Sequence, residues 1–249
     1  YEGRYGVSLF FVLSGFLLTA RYYESIHRKI GFRKYWIKRF ARIMPLYWAL
    51  CFGVFLLAVL RGRDIAPFGV FFSLTQGFFS DLKFHGVETA WSLTVEETFY
   101  LSLPVLIVLF RLVWREGRAL WANVASISVL LALVTIGYWQ AGQLLHGVHQ
   151  RGWFTAWGFF GRVEDIRAYT IFGRFFDFAV GCVFGMLFHK SSNAILQRRW
   201  LPDLAIVLSV AAILFASYHI HFLGGPEGRA GWWLLMPNAV LSAAIIYFV

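Results

Sequence analysis

Charge is scarce in this sequence. Only 14% of its 249 residues are Asp, Glu, Lys or Arg, against about a quarter in an ordinary soluble domain. Hydrophobic residues make up 59% and aromatic residues 20%, and the mean hydropathy is +0.63. A chain this apolar cannot cover its own surface in water, which excludes a soluble globular domain and leaves lipid as the fitting solvent. Acidic residues are scarcer still, 13 against 23 Lys and Arg, for a net charge of +10. Nucleic acid is the obvious partner of a basic protein, but these charges sit between apolar runs rather than on one face. The positive-inside bias of membrane proteins accounts for them instead, and no nucleic-acid partner is expected. Cysteine is nearly missing. Cys51 and Cys182 each lie inside an apolar run and read as small core residues, so neither a disulfide framework nor a metal site is expected.

What is present is a series of long apolar runs. A membrane helix needs about 20 mostly apolar residues. Six stretches qualify: Tyr5–Tyr22, Pro45–Leu60, Trp91–Val113, Leu120–Tyr138, Tyr169–Phe188 and Leu201–Tyr218, with a seventh at Trp232–Val249. Helix is the default for each, because lipid tolerates no unsatisfied backbone. The chain opens at Tyr1 rather than Met and stops at Val249 inside an apolar stretch, so both ends read as cut. The expected fold is therefore all-α, a polytopic bundle of about six to seven transmembrane helices in one domain over 1–249.

Basic residues assign the sides. Fourteen fall in the connections after the first, third and fifth spans and seven in the opposite connections, so the first set is expected to be cytoplasmic. Within the first connection, Phe32, Trp36, Phe40 and Ile43 recur at helical spacing, with Lys34, Lys38 and Arg42 as a basic stripe. This pattern predicts an interfacial amphipathic helix that Pro45 stops, or beyond which Pro45 opens the next span. The two long outer connections, Arg61–Ala90 and Gln140–Ala168, are rich in Phe, Trp and Gly and read as structured caps.

Four motifs carry polar chemistry into this apolar background. Trp91-Ser-Leu-Thr-Val-Glu-Glu-Thr-Phe-Tyr100 places two carboxylates at the start of a span. An intramembrane carboxylate is costly and a functional candidate by default. Ser92, Glu96 and Tyr100 share one helix face and offer an acid/base group between two hydroxyls; the bland reading is a helix N-terminus stabilised by the dipole and capped by Ser92. Glu97 points elsewhere. In Arg39-Phe-Ala-Arg42 two guanidinium groups are neighbours suited to phosphate, although lipid anchoring alone explains such a pair. Ser14 and Gly15 suit close helix packing, as does Gly181-x-x-x-Gly185, which follows an Arg174-x-x-Asp177 pair able to neutralise itself. His146-x-x-His149 and His219-x-His221 lack the further ligands of a zinc site, and nothing in the sequence requires His85, six residues before Trp91, to enter a pocket.

In this order the motifs resemble the membrane-bound acyltransferase-3 family. The matching residues are Gly6-Val-Ser-Leu-Phe-Phe-Val-Leu-Ser-Gly15-Phe, Arg39-Phe-Ala-Arg-Ile-Met-Pro-Leu-Tyr47-Trp, the Trp91–Tyr100 segment and, more loosely, Arg174-Phe-Phe-Asp-Phe-Ala-Val-Gly181. The resemblance implies transfer of an acyl group, most often acetyl, from cytoplasmic acyl-CoA to a hydroxyl of a surface glycan or lipid-linked sugar. It implies that Arg39 and Arg42 hold the donor and that Glu96 is the motif carboxylate, in a protein of the bacterial inner membrane. Members carry an Arg and a His on a helix before the position of Gly6, the His being the best candidate base. That helix lies outside this sequence, so the base is not named and the fragment as given is expected to be inactive. Ser8 stands where many members have Asp. The alternatives are a transporter or flippase of a small anion or lipid-linked sugar, which internal repeats would favour and none is visible, and a purely structural membrane protein, which leaves Glu96 and Arg174 unexplained.

Overall fold

A computed structural model of the chain describes residues 3–23, 31–63 and 67–190. The expected spans Leu201–Tyr218 and Trp232–Val249, and the histidines His219 and His221, lie outside the described residues. The described ones form seven α-helices: α1 (Gly3–Tyr22), α2 (Gly31–Leu60), α3 (Phe68–Phe72), α4 (Ala90–Val113), α5 (Leu120–Gln150), α6 (Val163–Tyr169) and α7 (Ile171–Lys190). Among them are four helical stretches long and apolar enough to cross a membrane, Gly31–Leu60, Ala90–Val113, Leu120–Gln150 and Val163–Leu187, with Gly6–Tyr22 a shorter apolar helix. The chain is an integral membrane protein of the all-α class.

Two boundaries differ from the sequence reading. The amphipathic segment and the second span are one helix, α2, that runs through Pro45 without a break. Its buried residues, Tyr35, Arg39, Met44, Tyr47 and Cys51, recur at helical spacing on both sides of the proline, so one packed face continues across it. Pro45 itself is exposed, and a carbonyl freed by a proline is tolerated in membrane helices more readily than in soluble ones. At about 1.5 Å per residue α2 is roughly 45 Å long, about half as long again as the hydrocarbon core. The excess is the basic amphipathic half. Likewise α5 continues from Tyr138 to Gln150, beyond the apolar run.

The chain divides into two compact units. The first draws its described residues from Tyr1–Glu24, Phe110–Ala132 and Phe176–Val249. In it α1 meets α7 at backbone contact. A Cβ at Gly181 would collide with the Val12 carbonyl, one at Gly15 with the Phe178 carbonyl, and one at Gly185 would sit 2.6 Å from the Phe16 carbonyl oxygen. Phe11 stacks on Phe178 at 4.7 Å. Lipid tails are as apolar as the helices, so association there relies on such close packing, as expected for Ser14-Gly15 and the G-x-x-x-G.

The second unit comprises Ser25–Leu109 and Leu133–Phe175. Met44, Tyr47 and Cys51 of α2 cluster with Leu74 and Ala90, while Arg39 reaches Tyr100, so α2 and α4 run antiparallel. The described residues of the long connections around α3 and before α6 form caps that pair with each other. Phe79 and Phe159 form an isolated antiparallel bridge, and Ser80 N–H donates to the Gly158 carbonyl at 3.0 Å. Lys83 closes the pairing with a 2.7 Å ion pair to Asp165, and Nζ also donates to the Ser80 carbonyl. This mutual pairing puts both connections on the same side, as the charge pattern requires.

Candidate active site

Glu96 is the seventh residue of α4 and is 4% exposed. One turn on, the Tyr100 hydroxyl donates to Glu96 Oε1. This is the i, i+4 geometry of one helix face. The Tyr100 ring lies 5.5 Å from the Arg39 guanidinium, and the Tyr35 ring lies 5.9 Å from it on the other helix. Arg39 is 9% exposed. A cation, two phenol rings and a carboxylate from two antiparallel helices thus form one buried cluster. Cation–π contact of this kind contributes roughly 0.5–2 kcal/mol and holds the guanidinium plane. Chemically the cluster offers a group able to exchange a proton, a hydroxyl bonded to it, and a fixed positive charge.

Ser92 donates its hydroxyl to the Thr89 carbonyl at 2.8 Å, one turn back. The local carbonyl captures it, a standard habit of serine near a helix start. Arg42 is exposed, as are Lys34 and Lys38, while Phe32, Trp36 and Phe40 are exposed beside them. The inward face of the amphipathic half is therefore Tyr35–Arg39, and its aromatic face is the outer one. Glu97 is half-buried, and its Oε2 has no hydrogen-bond partner among the described residues. Arg174 is buried and donates from Nε to the Ala168 carbonyl at 2.9 Å; Asp177 is buried as well. His85 is exposed in a turn. His146 Nδ1 lies 2.8 Å from the Phe160 carbonyl oxygen, and its ring is near-parallel to that of His149. Among the described residues no three His, Cys, Asp or Glu gather as metal ligands.

Sequence reasoning missed three polar features. Tyr35 is fully buried, one turn before Arg39, and the apolar stripe of the same helix masked it. Gln76 is fully buried in the first cap, its Oε1 accepting from the Tyr47 hydroxyl at 3.2 Å. The Lys83–Asp165 pair joins residues 82 apart, a separation no local pattern reveals. A cleft of about 250 Å3 along α5, lined by Gln140, Gln143, Gly147 and Arg151 among others, shares no lining residue with the Glu96 cluster.

YrhL of Bacillus subtilis is 30% identical over 149 residues, covering 53% of this chain and 23% of the relative. The peptidoglycan O-acetyltransferase OatA of Listeria monocytogenes is 30% identical over 161 residues, 55% of this chain and 25% of the relative. The O-acetyltransferase OatA of Staphylococcus aureus is 27% identical over 168 residues, 61% and 27%. The chain thus spans about a quarter of the length of these relatives. No solved structure matches it. The model of the acyltransferase-3 family, described as an acyltransferase domain, matches residues 2–249, and the chain belongs to that family.

Proposed function

We propose that the protein moves an acyl group, acetyl in the first instance, from cytoplasmic acyl-CoA to a hydroxyl of a surface glycan or lipid-linked sugar. The observation that carries this reading is the joining of Arg39 on α2 to the Tyr100–Glu96 pair on α4. The names of the relatives favour peptidoglycan as the glycan, and their bacterial hosts together with the apolar helices favour the bacterial inner (plasma) membrane as the location.

In the transfer the acceptor hydroxyl attacks the thioester carbonyl, a C–O bond forms, and the C–S bond breaks to release the CoA thiolate. The hydroxyl proton must leave as attack proceeds, and the carbonyl oxygen gathers negative charge. Glu96 moves or holds a proton at this stage, with Tyr100 fixing its orientation. Arg39 supplies the buried positive charge on the donor side. Arg42, exposed three residues on, meets donor phosphate at the protein's rim.

The test uses the intact protein in detergent, with labelled acetyl-CoA and a soluble peptidoglycan disaccharide. Vectorial transport has no meaning in detergent, so acylated disaccharide is a product of transfer. The expected outcome is product from wild type and a kcat lowered about 10²- to 10⁴-fold in Glu96→Gln, with melting unchanged. No product from the wild type, or an unimpaired Glu96→Gln, overturns the proposal.

A further inference from the structure

Beyond Tyr138, α5 leaves its apolar run and turns polar, with Gln140, Gln143, His146, His149 and Gln150 before its end and Arg151 just past it. Gln140, Gln143, Gly147 and Arg151 follow one another at helical spacing, so they share one face. Along that face lies the cleft of about 250 Å3, whose walls also include Leu144 and Val148. Gly147 keeps it open: a Cβ there would meet nothing within 4 Å. Gln143 Nε2 has no hydrogen-bond partner among the described residues, so this amide can turn to a ligand.

The end of α5 is fixed to the second cap. His146 Nδ1 lies 2.8 Å from the Phe160 carbonyl oxygen, which only accepts, so Nδ1 carries the proton and Nε2 accepts from Gln150 Nε2 at 2.9 Å. Past the helix, the Trp153 N–H returns to the carbonyl of Val148, a wall of the cleft, at 3.2 Å. The chain thus turns at the Arg151 end of the cleft and there carries two exposed aromatic side chains, Trp153 and Phe154. Phe154 has a left-handed backbone, φ +53°, and exposed Trp157 another, φ +50°. Bulky residues adopt this conformation at a cost, and it gathers at ligand clamps.

Charge separates this surface from the other exposed aromatic one. The first half of α2 exposes Arg33, Lys34, Lys38 and Arg42 beside Phe32, Trp36 and Phe40, with no acid among them, which suits anionic lipid. In the second cap and against it, exposed Arg151, Arg162 and Arg167 are largely offset by exposed Glu164 and Asp81, while Lys83 and Asp165 neutralise each other. Such a surface has little to draw it to anionic headgroups. It offers partners to a ligand that both donates and accepts.

We propose that the cleft on α5, with the aromatic pair beside it, docks the acceptor glycan: one N-acetylated, acidic sugar lies in the cleft and the next stacks on Trp153 and Phe154. A carboxamide both donates and accepts, as an acetamido group does, so Gln140 and Gln143 match that substituent. Leu144 and Val148 cover its methyl, and Arg151 pairs with a carboxylate. A sugar ring adds apolar C–H faces, which fit an exposed aromatic ring. About 250 Å3 is below the roughly 300–1,000 Å3 of a pocket for a drug-sized ligand, which suits a single sugar of a longer chain. The cleft lies in the same unit as the Glu96 cluster and shares no residue with it, so it binds ground state and transition state alike and acts on acceptor KM rather than kcat. That the bound sugar is the acceptor rests on the acyl-transfer reading; that a sugar binds does not.

The experiment is calorimetric titration of the intact protein in detergent, without donor, with the soluble peptidoglycan disaccharide and with chitobiose, which has acetamido groups and no carboxylate. Acetyl transfer is measured on the same preparations. Gly147→Leu fills the cleft with nothing to displace, so it should melt no lower than wild type yet lose affinity for both sugars about tenfold or more. Trp153→Ala should weaken both about tenfold, with Phe154→Ala as the second variant should the first not fold. Arg151→Ala should weaken the disaccharide tenfold or more and leave chitobiose unchanged. Each loss should reappear in acceptor KM, with kcat and donor KM unchanged. No sugar binding by wild type, or a folded Gly147→Leu and Trp153→Ala that bind as wild type does, overturns the docking surface; a Trp153→Ala that only lowers the yield of folded protein in lipid nanodiscs marks a membrane-interface anchor and overturns it too. Transfer by wild type with unaltered variants leaves acyl transfer standing without this surface, and sugar binding without transfer does the reverse.

Discussion

Two of the contacts that Tyr100 makes can be separated by substitution. Its hydroxyl donates to Glu96, and its ring lies under the Arg39 guanidinium at 5.5 Å. Tyr100→Phe deletes the first and keeps the second. A hydrogen bond to a charged group contributes about 1.5–3 kcal/mol, and 1.4 kcal/mol is tenfold in rate, so kcat should fall roughly 10- to 100-fold. Donor KM should stay where it is, because the ring still orients Arg39. Tyr100→Leu removes the ring too. Loss of a cation–π contact of about 0.5–2 kcal/mol should then raise donor KM by roughly 2- to 30-fold on top of the kcat loss. The assay is acetyl transfer by the intact protein in detergent at varied acetyl-CoA, with melting followed in parallel. Tyr100 is 7% exposed, so the near-isosteric Phe variant should melt within a few degrees of wild type. A Phe variant with full kcat, or one whose donor KM alone changes, would refute the division of labour between hydroxyl and ring.

Three further predictions concern the scaffold. Asp165→Leu strands Lys83, whose side chain is 8% exposed, and should destabilise the protein by about 3–5 kcal/mol, whereas Lys83→Met with Asp165→Leu should recover most of that in thermal melts. Gly181→Leu forces a side chain into the Val12 carbonyl and should abolish stable folding in membranes, read as loss of a monodisperse peak on extraction, while Gly137→Leu, with open space around it, should not. Gly158→Ala meets both a left-handed backbone, at φ +69°, and the Asp81 carboxylate at 2.9 Å; it should lower the melting point and raise protease sensitivity of the two caps.

The spans were legible because a membrane helix announces itself by length and apolarity: α4 and α7 match the expected stretches within two residues. Pro45 misled because a proline that ends a soluble helix need not end one in lipid. The packed face of α2 was not legible, because lipid and protein interior are equally apolar. Phe32, Trp36 and Phe40 formed the conspicuous stripe, yet Tyr35 and Arg39 are the buried pair. Within the site, the Glu96–Tyr100 bond could be read from a spacing of four. Arg39 reaching Tyr100, and Gln76 reaching Tyr47, depend on how α2, the cap and α4 pack, which no periodicity encodes. Ser92 shows the converse limit: correct spacing to Glu96, but a nearer carbonyl at Thr89.

The proposed transfer depends on Arg39 acting on the donor side of the site that contains Glu96. Its most direct test is the donor KM of Arg39→Ala and Arg42→Ala beside wild type, with kcat and folding measured on the same preparations. Arg39→Ala should raise the acetyl-CoA KM tenfold or more, and exposed Arg42→Ala should raise it less. A folded Arg39→Ala with wild-type donor KM would contradict it.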